Sequence, residues 1–179
     1  MQSENKDKNN IKSTERKLPS KVVIPEIVKL VNDGYNVTLL LRGRSMRPFL
    51  EDGRDKALLT KVDNPKIGDP ILAEVRPDFY VLHRIVGIDG DKITLRGDGN
   101  IGCEYCKRED FRASIVGFYR KNRTSLDRID GWKWKTYSWL WMTLSTMRRY
   151  LLAFHRRIWL KIFPPKINNK FTNINEYQI

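Results

Sequence analysis

The sequence predicts a mainly β protein: a small, coiled antiparallel sheet with a short helix before it and a basic amphipathic helix after it. Between Tyr35 and about Arg120, short apolar runs alternate with clusters of turn-forming residues, as in antiparallel folds. After Gly131, apolar residues recur at helical spacing until Pro164-Pro165 ends the pattern. With 179 residues, the chain fits one domain with extensions.

The strands are predicted from the apolar runs, which are separated by Gly, Pro, Asp and Asn. A hairpin across an Asp89-Gly90 turn is expected in the middle of the sheet, because strand-like residues flank this dipeptide on both sides. The runs cover residues 37–41, 57–60, 71–75, 80–88, 92–95 and 114–119.

Residues 1–20 are polar, with mixed charges and no apolar stretch, so we expect a disordered leader rather than a secretory signal. A helix should follow, with Pro25 in its first turn and Gly34 at its end. Its apolar stripe comprises Ile24, Ile27, Val28 and Val31.

The charge distribution divides the chain further. The formal net charge is +13, which favours a polyanionic partner. Much of this charge lies in residues 131–164, the C-terminal arm, where no acidic residue occurs. The predicted division is a leader (1–20), a catalytic β domain (21–125), the arm, and a flexible C-terminus (165–179).

The C-terminal arm contains all five tryptophans beside its basic residues. Indole rings favour the boundary between lipid headgroups and acyl chains, and lysine and arginine are attracted to anionic lipid. We therefore expect the helix at 132–163 to lie on an anionic membrane surface. Docking of the same helix on the β domain is the alternative, and nucleic-acid binding is less favoured because the basic residues interrupt an apolar stripe.

Three short segments carry candidate chemistry. Ser45 lies in the turn Gly43-Arg44-Ser45-Met46-Arg47-Pro48, and a serine hydroxyl needs a base before it can act as a nucleophile. His83 lies inside an apolar, strand-like run, where packing alone does not call for an imidazole. Asp98, in Gly97-Asp98-Gly99-Asn100, and Glu104 are acids that could orient that ring. Each residue alone also has a structural explanation as a turn or core residue.

Taken together, the G-x-S-M-x-P, H-R-I and G-D-x-N segments resemble the ordered motifs of the type I signal peptidase superfamily. The resemblance covers about residues 38–118 and is to the branch with a histidine base, found in the endoplasmic reticulum and archaea. It implies a coiled antiparallel β domain, Ser45 as nucleophile and His83 as general base. Either Asp98 or Glu104 would complete the triad.

The resemblance further implies a serine endopeptidase that acts beside a membrane and needs no metal or cofactor. Ser45, Met46 and Pro48 would form the oxyanion and substrate-binding turn, and the substrate would be a peptide or pre-protein. We expect the Ser45 and His83 side chains within or near hydrogen-bonding distance. The chain would sit peripherally on the cytoplasmic membrane face. The alternative is a catalytically silent peptide-binding module with the same fold.

The two cysteines, Cys103 and Cys106, form a lone C-x-x-C pair. A zinc site would need two further thiolate or imidazole ligands, and His83 and His155 are far away in sequence. The pair is therefore interpreted as ordinary thiols that could be reversibly oxidised, with a metal site as the alternative.

Overall fold

The structure is a computed structural model that describes residues 19–144, 147–162 and 164. The mainly antiparallel β fold with a helix at each end is confirmed. Helix α1 (Ser20–Asn32) precedes eight strands, which form one sheet in the order β1-β2-β7-β3-β4-β5-β6, with β8 on β7. The strands are β1 (Val37–Leu40), β2 (Lys56–Thr60), β3 (Pro70–Arg76), β4 (Phe79–Asp89), β5 (Lys92–Arg96), β6 (Glu104–Lys107), β7 (Phe111–Tyr119) and β8 (Leu126–Arg128).

Helix α1 begins earlier than predicted. It starts at Ser20, so Pro25 lies in its second turn rather than its first. The predicted end is correct, because Gly34 adopts φ 94° and donates to Val31 O, while Tyr35 N–H donates to Leu30 O. This pair of bonds is the Schellman arrangement that closes helices at glycine. Residues 1–18 of the predicted leader lie outside the described residues.

The sheet contains the predicted hairpin with a shifted turn. β4 and β5 pair as far as Asp89 and Lys92, so Gly90 and Asp91 form the two-residue turn. Gly90 has φ 57°, which the first position of a type II′ turn requires. Strands β6 and β8 were not predicted. Because β8 pairs with β7, the β domain extends beyond the predicted limit at residue 125.

Two apolar clusters lie on opposite faces of the sheet. Leu72 and Leu82 belong to the cluster under α1, whereas their chain neighbours Ile71 and Val81 belong to the other. Adjacent residues of a strand point to opposite faces, so β3 and β4 are buried on both sides. This double burial explains why β4 reads as a continuous apolar run and why its polar residues need specific partners.

The prediction of one continuous helix over 132–163 is wrong. The arm consists of α2 (Trp132–Thr143), α3 (Arg148–Phe154), a π-helical turn (His155–Trp159) and a last short turn, α4 (Leu160–Ile162). The interruption after Thr143 breaks the expected apolar stripe. The face that packs inward comprises Trp134, Ser138, Trp141, Arg148 and Leu152, which are buried.

The inner face of α2 docks on the β domain, as the alternative interpretation expected. Trp134 packs against Phe118, with ring centroids 5.3 Å apart, and Phe49 stacks on Tyr137 at 4.4 Å. The outer face is exposed and contains several residues of the predicted stripe, including Met147, Phe154 and Ile158. In the described ranges, no helix is both long enough and apolar enough to cross a membrane.

Candidate active site

The centre of the site is His83 on β4, which is 2% exposed. Its Nδ1 lies 3.0 Å from Glu104 Oε2. A carboxylate only accepts hydrogen bonds, so in the neutral imidazole this contact corresponds to the tautomer with the proton on Nδ1 and the lone pair on Nε2. Nε2 is buried and has no hydrogen-bond partner among the described residues. Glu104 thus orients the imidazole through Nδ1, whereas Nε2 makes no hydrogen bond to any described residue.

The register of three strands brings His83 and Glu104 together. Arg84 pairs with Arg96 across β4 and β5, so Gly97 follows at the level of His83. Leu95 in turn pairs with Glu104 on β6. The Glu104 carboxylate thereby comes within reach of His83 Nδ1.

The backbone of Ser45 and the ring of His83 both lie against Gly97. A Cβ atom added to Gly97 would lie 2.5 Å from Ser45 O and 2.9 Å from His83 Nε2. The serine backbone and the free ring nitrogen therefore adjoin the same point. Gly99 N–H donates to Ser45 O at 2.6 Å, and a Cβ atom on Gly99 would lie 2.6 Å from Arg44 O. Close approach of two backbones, rather than a turn, requires both glycines.

Because His83 Nε2 has no hydrogen-bond partner among the described residues, the Ser45 hydroxyl is not bonded to it. Catalytic hydrogen bonds are often loose without substrate and tighten when it binds. Of the other predicted turn residues, Met46 is buried in the apolar core, whereas Pro48 is exposed and follows a cis peptide bond. Pro48 is therefore the one whose side chain solvent can reach.

A small apolar pocket adjoins Ser45. It has a cavity volume of ≈ 30 Å³. Its walls come from the end of β1, the serine turn and two central strands. The lining residues are Leu39, Leu40, Leu41, Arg42, Gly43, Ser45, Met46, Leu50, Glu51, Leu72 and Leu82.

Asp98, the other candidate acid, does not contact His83. Its carboxylate accepts two hydrogen bonds from Arg84, Nε at 2.9 Å and Nη2 at 2.7 Å, and both side chains are fully buried. Burial alone would lower the pKa of Arg84, but the charge and hydrogen bonds of Asp98 outweigh it and raise that pKa. Of the two acids left open by the sequence, Glu104 is the one in contact with the imidazole.

The ion pair is completed by the C-terminal arm. Tyr137 donates its hydroxyl proton to Asp98 Oδ2 at 2.9 Å, and the Arg84 guanidinium lies over the Trp134 ring at 4.5 Å. Arg84 Nη1 also donates to Gly68 O and to Ser138 Oγ. Burial, followed by the Asp98 charge, raises the pKa of Tyr137 well above its usual range. Tyr137 is therefore a permanent donor to Asp98.

These partners were missed at the sequence level, although one signal was available. Arg84 interrupts the same apolar strand as His83, and a buried guanidinium requires a carboxylate. Asp98, the acid flanked by two glycines, was the natural candidate for that partner. Nothing in the spacing of Tyr137 or Trp141 indicates that they approach it, because this contact depends on how α2 packs.

Cys103 and Cys106 are both free thiols. Cys106 lies inside β6 and is buried, and burial raises the pKa of its thiol to about 11. The interpretation of the two residues as ordinary thiols that could be reversibly oxidised stays a prediction.

Comparison with known proteins identifies no family model that matches the chain and no curated protein that is similar to it.

Proposed function

We propose that the protein is a serine endopeptidase with Ser45 as nucleophile, His83 as general base and Glu104 as the acid that orients it. The observation that carries this proposal is the imidazole itself. Glu104 holds it at Nδ1, Nε2 has no partner in the part of the chain that the structure describes, and the backbone of Ser45 lies adjacent. A buried polar atom without a partner carries a free-energy cost, and a catalytic role accounts for it.

The mechanism follows from these contacts. The Ser45 hydroxyl attacks a peptide carbonyl and transfers its proton to His83 Nε2. Glu104 stabilises the imidazolium that forms, and the ring then gives the proton to the leaving amine. Water hydrolyses the acyl-enzyme by the reverse sequence of proton transfers. The Ser45 N–H is the proposed donor to the oxyanion.

The pocket beside Ser45 limits the substrate. The pocket is small, and its lining is largely aliphatic. A small apolar residue next to the scissile bond is therefore the expected specificity.

We further propose that the C-terminal arm holds the enzyme peripherally on an anionic membrane surface, on the cytoplasmic side. Its outer face exposes Trp132, Trp139, Tyr150, Phe154 and Ile162. The exposed basic residues of the arm are Lys133, Lys135, Arg149, Arg156, Arg157 and Lys161. Aromatic groups flanked by cations are suited to the headgroup region of anionic lipid, where each cation contributes about 1 kcal/mol.

Labelling with a fluorophosphonate, which reacts with activated serines, tests the catalytic proposal without knowledge of the substrate. Wild-type protein should be labelled at Ser45, and the Ser45→Ala and His83→Ala variants should not be. Ser114→Ala is the matched control, because Ser114 lies in β7 and its hydroxyl accepts from Asp63 N–H. A folded wild-type protein that resists labelling would instead support the silent peptide-binding module.

Sedimentation with vesicles containing anionic lipid tests the membrane proposal. Trp139→Ser with Phe154→Ser should weaken binding, whereas Tyr35→Ser, which replaces an equally exposed aromatic residue outside the arm, should not. Raising salt from about 0.1 M to about 1 M should weaken binding without abolishing it, because only the electrostatic part is screened. Equal sedimentation of all variants would contradict the proposal.

Substitutions are preferable to removal of the arm in this test. Truncation near Asp130 would strip Trp134 and Trp141 from the core and uncover the Arg84–Asp98 pair. The shortened chain would then unfold or aggregate regardless of any role at a membrane.

A further inference from the structure

The residues Gly97, Asp98 and Gly99, the glycine segment, separate the Ser45 turn from the C-terminal arm. On one side, Gly99 N–H donates to Ser45 O at 2.6 Å, and Gly97 lies against His83 Nε2. Glycine gives the backbone more conformational freedom than any other residue, and two of the three positions are glycine. The position of this segment must therefore be fixed by its hydrogen bonds.

On the other side, the arm bonds all three carbonyl oxygens of the glycine segment. Arg148 Nη1 donates to Gly97 O at 3.3 Å, and Trp141 Nε1 donates to Asp98 O at 3.1 Å. Arg156 Nη2 donates to Gly99 O at 3.2 Å. Tyr137 adds a bond to the Asp98 carboxylate at 2.9 Å. Four side chains from α2, α3 and the π-helical turn thus hold three consecutive residues.

Arg148 has an unusual environment for a cation. It is 3% exposed, and its described hydrogen bonds go to the carbonyl oxygens of Gly97 and Trp141 rather than to a carboxylate. Its guanidinium lies 5.4 Å from the Trp141 ring centroid. Burial, with repulsion from Arg96, lowers the pKa of Arg148. A surface arginine needs neither carbonyl partners nor an aromatic ring beside it. We therefore interpret Arg148 as a structural partner of the glycine segment.

We propose that Tyr137, Trp141 and Arg148 are positioning residues of the Ser45–His83 site and that the C-terminal arm forms the outer wall of that site. They act through the glycine segment, whose displacement would move the Ser45 backbone relative to His83 Nε2. The proposal rests on the proposed function for its catalytic consequence, but the positioning itself does not depend on that function.

Two substitutions each remove one donor and leave an aromatic ring at the position. Trp141→Phe loses the indole N–H together with the larger ring, and Tyr137→Phe loses only the hydroxyl. Tyr35→Phe is their control, because this side chain is 64% exposed and lies outside the arm and the site. Arg148→Lys retains the charge but cannot reach two carbonyls with a fixed fork, and Arg108→Lys, at an exposed position outside the arm, is its control.

The first measurement is the rate of fluorophosphonate labelling of Ser45 at saturating and subsaturating reagent. Each of the three variants should lower the maximal rate by about tenfold while the half-saturating concentration stays within about twofold. The two controls should match the wild type. Unchanged maximal rates in folded variants would overturn the proposal.

The second measurement is amide hydrogen exchange of the peptide that contains Gly99. Its N–H is bonded to Ser45 O, so exchange should accelerate in Trp141→Phe and Tyr137→Phe but not in the controls. Equal exchange in all proteins would overturn the proposal even if the labelling rates differed. If wild-type Ser45 is not labelled at all, the proposed function fails, and exchange alone then decides whether the arm positions this segment.

Discussion

Glu104→Gln and Asp98→Asn each remove one carboxylate charge, but the structure predicts different effects. Glu104→Gln should mainly lower reactivity, whereas Asp98→Asn should mainly lower stability. Glu104 contacts His83 Nδ1, and its side chain is 30% exposed, so the amide can be solvated. Its loss should reduce stability by less than about 1 kcal/mol. Glutamine can donate to Nδ1 and thereby favour the tautomer with its proton on Nε2, which cannot accept the serine proton. A roughly 10⁴-fold fall in reactivity is the reference for such a change in other triads.

Asp98→Asn leaves Arg84 charged in a site where both side chains are fully buried. Breaking a buried ion pair costs about 3–5 kcal/mol, because the remaining charge has no counter-ion. For a chain of this size, that loss corresponds to a fall in Tm of roughly 6–20 °C. Reactivity per folded molecule should fall much less than in Glu104→Gln.

The assay compares fluorophosphonate labelling rates at a temperature where both variants are folded, together with the Tm from circular dichroism. The reasoning is refuted if Glu104→Gln reacts at the wild-type rate, or if Asp98→Asn abolishes reaction without lowering Tm. The second result would make Asp98 the triad acid and would require a different site geometry.

Three further predictions follow from the same contacts. Gly97→Ala should reduce both the labelling of Ser45 and the stability of the protein, because the added Cβ would meet Ser45 O and His83 Nε2. The expected loss of stability is roughly 1–3 kcal/mol. Gly102→Ala, at a position with open space around it, should change neither labelling nor stability. Burial and then the positive charge of Arg47 lower the pKa of His155 in the folded protein. The unfolded chain therefore binds a proton at this residue more readily than the folded chain does. As pH decreases from about 7 to about 5, the Tm of the wild type should fall relative to that of His155→Gln. Leu59→Ala, at a fully buried position, should lower the free energy of unfolding by about 2–5 kcal/mol in urea titrations, and a smaller loss would mean that β2 packs less closely than described.

Much of the β fold could be predicted because its determinants are local. Alternation of apolar runs and turn residues located six of the eight strands. β6 and β8 were missed because Glu104–Lys107 and Leu126–Arg128 are short and polar, and their pairing with β5 and β7 depends on the sheet already being formed. The arm was misjudged for a similar reason. An apolar stripe at constant helical spacing assumes an unbroken helix, whereas α2 ends at Thr143 and α3 begins at Arg148.

The candidate site divides in the same way. Ser45 and His83 could be selected from residue chemistry and motif order, and the structure brings the Ser45 backbone beside His83 Nε2. The choice between Asp98 and Glu104 could not be made from spacing, because it depends on which face of the sheet each carboxylate occupies. The contribution of the arm was harder still to predict from the sequence, because Trp141 and Arg148 donate to backbone oxygens, which carry no residue-specific signal.

The placement of His83 and Arg84 on consecutive positions of β4 has a consequence for folding. A slip of one residue between β4 and its neighbours would exchange the two faces of the strand. The guanidinium would then face the serine, and the imidazole would face Asp98. Such a chain would bury a cation without its counter-ion and a carboxylate without its donors. The Arg84–Asp98 pair therefore penalises this misfolded register and ties correct assembly of the sheet to correct assembly of the site.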